Sequence, residues 1–81
     1  MKHEFIGKPV FIGTSLWEIT IRLVPANETE TIAIRNLEVN RATVAERELI
    51  NNYLLFGIAG WSVLSIKSQN AATFKLKATE V

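Results

Sequence analysis

Apolar and polar positions alternate with period two over residues 15–24. Trp17, Ile19, Ile21 and Leu23 interleave with Glu18, Thr20 and Arg22, the pattern of a strand with one buried face. Pro25-Ala26-Asn27-Glu28 follows with turn chemistry, and a second alternation over residues 29–36 predicts a second strand closing a hairpin. With Val24 opposite Thr29, Ile21 meets Ile32 and Ile19 meets Ile34 on the inner side. Glu18 then meets Arg35, and Thr20 meets Ala33, on the outer side, so a single register pairs apolar with apolar and acid with base.

The period then changes. Thr43-Val44-Ala45-Glu46 reads as a capping box, and Glu46 and Glu48 suit the positive end of a helix dipole. Ala45, Leu49, Ile50, Tyr53, Leu54 and Phe56 share one face at helical spacing, and Gly57 is placed to end the element. A helix is therefore predicted over residues 44–56. Two further strands, 61–68 and 72–79, flank a loop at Gln69-Asn70-Ala71, with Leu64 opposite Leu76 and Ile66 opposite Phe74. The other face of this hairpin carries Trp61, Val63, Ser65 and Lys67 beside Thr73, Lys75, Lys77 and Thr79. Near the amino terminus, Phe5-Ile6-Gly7 and Phe11-Ile12-Gly13 suggest two short strands around Lys8-Pro9, punctuated by the glycines.

The expected fold is α+β: one domain spanning residues 1–81, an antiparallel sheet of four or five strands, and one helix packed on one face, in the order β-β-(β)-α-β-β. Its expected core is Trp17, Ile19, Ile21, Ile32, Ile34, Leu49, Ile50, Tyr53, Leu54, Leu64, Ile66, Phe74 and Leu76.

Composition adds two constraints. A chain of 81 residues buries only about 60–65% of its unfolded surface. With no cysteine, neither a disulfide nor a thiolate metal site can staple it, so extra stability must come from packing or self-association. Nine Lys and Arg against eight Glu, with a net charge of +1, argue against a dedicated charge-driven nucleic-acid binder. The amino-terminal residues lack the apolar run of a signal peptide, and the apolar run at residues 53–58 is too short to span a bilayer. The expectation is a cytoplasmic protein with no membrane partner. Asn27-Glu28-Thr29 matches the glycosylation sequon, which has meaning only in a secreted chain.

Little of the sequence looks catalytic. The single histidine, His3, lies near the chain end, and there is no aspartate, so few nucleophile–base–orienter sets remain. Glu28 and Glu30 are an acid–base candidate pair, and solvated charge beside a turn is the ordinary reading of them. Neither zinc nor calcium ligand spacing occurs, so no metal or cofactor is expected and the protein is read as non-enzymatic. Gly57-Ile58-Ala59-Gly60 has the spacing of the KH-domain RNA loop, but it joins a helix to a strand and holds no basic residue, so it reads as a helix cap and turn.

Two constellations stand out. Leu55, Trp61 and Val63 fit neither core face, and together they would form an apolar patch of the kind that marks interfaces. They are the candidate partner-binding residues, for a second copy or another protein. Lys67, Lys75 and Lys77 with Trp61 support the alternative, a weak RNA or single-stranded DNA binder that neutralises phosphates with lysines and stacks a base on the indole. The plainer reading is a solvated face that deters aggregation. A third reading places a small molecule between helix and sheet. In size, neutral charge and single-helix sheet, the chain resembles the small inhibitors and adaptors carried by phages and integron-type mobile elements. That resemblance of architecture implies an interaction module acting on a larger host complex, and it assigns no residue a role.

Overall fold

The alternating stretch forms the central strand, β3 (Leu16–Val24). In the computed structural model, which describes residues 1–55, 58–70 and 72–81, Ile19, Ile21 and Leu23 are buried and Arg22 is exposed. Along one edge β3 pairs antiparallel with β5 (Thr73–Glu80), setting Ile19 opposite Leu76 and Ile21 opposite Phe74. Its other edge is shared by two short strands. β1 (Lys2–Phe5) lies against residues 21–24, and β2 (Val10–Gly13) lies against residues 16–18. Gly7, at φ 75°, and Pro9 turn the chain between them; the left-handed conformation is one that glycine reaches without Cβ strain. β4 (Trp61–Asn70) pairs with β5 and forms the far edge, giving the order β1-β3-β5-β4 with β2 also on β3. The antiparallel α+β architecture is as expected, with one difference: the described residues form two helices rather than one.

Residues 29–36 are not a strand. They belong to α1 (Glu28–Glu38), whose start is capped twice. The Asn27 side chain accepts from the Glu30 amide at 2.9 Å, and the Glu30 carboxylate accepts from the Ala26 amide at 2.8 Å, a reciprocal arrangement of capping-box type. The helix ends in a Schellman motif: Asn40 is left-handed at φ 59°, its amide donates to Leu37 O at 3.2 Å, and the Arg41 amide donates to Asn36 O at 2.7 Å. The expected pairs of Ile21 with Ile32, Ile19 with Ile34, Thr20 with Ala33 and Glu18 with Arg35 therefore do not form. Glu18 lies between Val10 and Lys77 in the sheet, and its carboxylate pairs with Lys75 at 3.6 Å. Both edges of β3 are already filled, which leaves no place for a strand from residues 29–36. As a helix, the segment buries Ala33 and Ile34 and leaves Ile32 exposed.

α2 (Val44–Leu55) begins where the capping box places it. The Glu46 amide donates to Thr43 Oγ1 at 3.2 Å, and the Thr43 amide donates to the Glu46 carboxylate at 3.1 Å. Thr43→Ala should therefore cost about 0.5–2 kcal/mol, the usual loss for an N-cap, read as a lowered urea midpoint. An unchanged midpoint would contradict this capping role. Ile50 and Leu54 are fully buried and Tyr53 half-buried, whereas Ala45 and Leu49 are exposed. The expected roles of Phe56 in the core and Gly57 as helix end lie outside the described residues, as does Ala71 of the expected loop.

The second hairpin has a different register from the expected one. Ile66 lies opposite Leu76 and Ser68 opposite Phe74, with bulges between Val63 and Ser65 and between Ser68 and Asn70. The first bulge inserts Leu64 as an extra residue and reverses the phase of the strand. Trp61 and Val63 thus share the inner face with Ile66, and Leu64 is 61% exposed. The expected placement of Leu64 inside, with Trp61 and Val63 outside, is reversed. Both helices pack on the inner face, over a core of Ile19, Ile21, Leu23, Ala33, Ile34, Ile50, Leu54, Ile58, Val63, Phe74, Leu76 and Ala78. No helix among the described residues is long and apolar enough to cross a membrane.

Candidate functional site

The outer face of the sheet carries the lysines. Lys67 lies directly opposite Lys75, and Lys77 lies between Ser65 and Glu18, all three exposed. Trp61 does not join them. It lies opposite Glu80 on the inner face, on the far side of the bulge at Leu64. A nucleotide whose phosphate these lysines neutralise has no indole beside it on that face to stack its base on, and Glu18, paired with Lys75, places a carboxylate within the basic face.

The apolar trio is also divided. Val63 is 8% exposed and belongs to the core, Trp61 is half-buried against it, and Leu55 is exposed on the last turn of α2. They do not form one surface.

The structure gathers exposed apolar side chains elsewhere. Phe5, Ile6, Val10, Phe11 and Ile12 are all exposed along the ribbon made by β1, its bend and β2. At the β2 end, an aromatic row runs across the sheet. Phe11 lies opposite Trp17 with ring centroids 5.2 Å apart and planes at 67°, and Trp17 meets Trp61 at 6.0 Å and 72°. Both are edge-to-face contacts of the favourable kind. Helices do not seal this end, and an open depression of about 590 Å³ lies there, lined by Phe11, Thr14, Ser15, Trp17 and Glu80.

Each wall has a local cause. Gly13 lies opposite Leu16, so Thr14 and Ser15 form a two-residue turn, with Ser15 held left-handed at φ 54°. That conformation costs a non-glycine residue about 1–2 kcal/mol. Glu80 is paired with Trp61, and the next amide, Val81, donates to Gly60 O at 3.0 Å, so the carboxylate stands on anchored backbone. The sequence signals were Phe11 and the two tryptophans. Their meeting depends on a register that crosses a bulge.

Other candidates resolve into structural roles. Glu30 caps α1, and Glu28 is exposed in its first turn. His3 is held by Tyr53, with Nδ1 3.0 Å from the phenol oxygen, and by the edge of Phe5. Burial, and secondarily the Glu30 carboxylate, raise the pKa of the Tyr53 hydroxyl above its ordinary value. Among the described residues no three His, Cys, Asp or Glu side chains converge as a metal set. A second depression between α1 and Ala72 measures only about 160 Å³, below the roughly 300–1,000 Å³ of ordinary ligand pockets. Comparison of the chain with protein-family models, curated proteins and solved structures finds no match.

Proposed function

We propose that this chain is a non-enzymatic protein-interaction module that associates with a second copy of itself through the β1 and β2 ribbon. The observation that carries this reading is the exposure of five large apolar side chains, Phe5, Ile6, Val10, Phe11 and Ile12, within eight residues of a sheet edge. Val10 stands beside Glu18 on the outer face and Phe5 and Phe11 beside Ile21 and Trp17 on the inner face, so apolar side chains flank this edge on both sides. Exposed apolar surface marks interfaces, and a sheet edge also offers unpaired amides and carbonyls to a further strand. An antiparallel contact between two copies presents the same residues from both sides, as a two-fold interface requires. Bulges interrupt both edges of the sheet, between Phe11 and Gly13 on β2 and twice on β4, so it is the run of exposed apolar side chains that distinguishes the β1 and β2 edge. A small core without disulfides gains stability from such association.

Sedimentation across a wide concentration range tests the reading. The expected result is a monomer–dimer equilibrium, weakened at least about tenfold by Val10→Glu, because like charges then face each other across the two-fold contact. Val44→Glu, on exposed surface of α2, should leave the equilibrium unchanged. One chain mass at every concentration would sink the self-association. The lysine face is the weaker reading, because the indole that would stack a base lies on the other side of the sheet.

A further inference from the structure

We infer that the depression walled by Phe11, Trp17, Thr14, Ser15 and Glu80 is a binding site for an arginine side chain of a partner polypeptide. Its chemistry selects a cation. Phe11 is 58% exposed and Trp17 half-buried, and both line the space, so a cation entering it meets aromatic rings, whose faces attract positive charge. The one charged wall is the Glu80 carboxylate, and Glu80 takes part in none of the ion pairs formed among the described residues. A planar guanidinium suits these walls better than an ammonium, because it can lie along the indole while its forked N–H donors reach a carboxylate. The Thr14 and Ser15 hydroxyls line the same space and can accept the remaining N–H bonds. A serine held left-handed at the turn, where glycine would fit without strain, is consistent with a use for its hydroxyl. At about 590 Å³ the space exceeds one side chain, which leaves room for the flanking backbone of a peptide.

This site shares Phe11 with the self-association ribbon, so its test runs on the Val10→Glu variant, in which association is weakened and the two cannot be confused. The indole N–H resonances are followed during titration with N-acetyl-arginine amide, its neutral isostere N-acetyl-citrulline amide, methylguanidinium, and an acetylated Val-Arg-Val amide. Expected are saturable shifts with the arginine compound in the millimolar range, binding of the citrulline compound weaker by about tenfold, and a loss of similar size for Glu80→Gln. The tripeptide should bind more tightly than methylguanidinium. Glu80 is exposed, so the Glu80→Gln variant should keep the parent thermal midpoint, which confirms that any loss is one of binding. Citrulline binding as well as arginine, or no effect of Glu80→Gln, overturns the proposal. Methylguanidinium binding as tightly as the tripeptide overturns a polypeptide source and assigns the site to a free cation.

Discussion

Replacing Ala33 by Glu is expected to destabilise the protein by about 3–5 kcal/mol, the cost of a buried charge without a partner. Ala33 is fully buried on the face of α1 that meets the sheet. The core cluster that Ala33 belongs to is apolar and offers a carboxylate no ion-pair partner. The same substitution separates the two arrangements that residues 28–38 could adopt. In a hairpin with β3, Ala33 would lie outward beside Thr20, and Glu at that position would change stability by less than about 0.5 kcal/mol. Arg35→Glu serves as the control, because Arg35 is exposed in α1. Urea midpoints and slopes of the two variants decide the matter, and an Ala33→Glu midpoint equal to the parent would overturn the helical assignment.

Phe74→Ala should cost about 3–5 kcal/mol, from lost transfer energy and the cavity left behind. Among the described residues Phe74 is the largest fully buried side chain, standing on β5 between Ile21 and Ser68. Domains of this size hold roughly 0.05–0.15 kcal/mol per residue, so the loss is comparable with the whole stability and the variant should be substantially unfolded near room temperature. Phe74→Met keeps most of the volume and should cost less than about 1.5 kcal/mol. Tryptophan fluorescence in urea reads both variants through Trp17 and Trp61. If the alanine variant lost less than the methionine variant, the centre of the core would lie elsewhere.

The two helix starts make the limits of the sequence concrete. Thr43-Val44-Ala45-Glu46 is legible because the apolar residues after it fit a helix and not a strand. Asn27-Glu28-Thr29-Glu30 has the same chemistry, with an N-cap side chain and a glutamate three residues on. It is masked by Ile32 and Ile34, whose alternation with Thr31, Ala33 and Arg35 also suits a strand. The helical spacing of Ala33 and Leu37 was present but no stronger than the competing period. In the second hairpin, the strict alternation of Leu64, Ile66, Phe74 and Leu76 points to one register, whereas the structure spends Leu64 on a bulge to bring Trp61 and Val63 inside.

The sequence alone determined what acts over a few residues: the buried face of β3, the cap of α2, the punctuation between β1 and β2, and an antiparallel α+β class. These depend on side-chain period, capping hydrogen bonds and backbone dihedrals, all of which are local. Tertiary structure decided what residues 28–38 become, because β5 on one edge of β3 and β1 with β2 on the other exclude a further strand. It also decided that Trp61 leaves the lysines and joins Trp17, since one inserted residue transfers every side chain beyond it to the other face. The candidate site inherits that dependence. Phe11 and Trp17 meet locally across the Thr14-Ser15 turn, but Glu80 joins them only through the pairing of β5 with β3, a long-range outcome that no local pattern encodes.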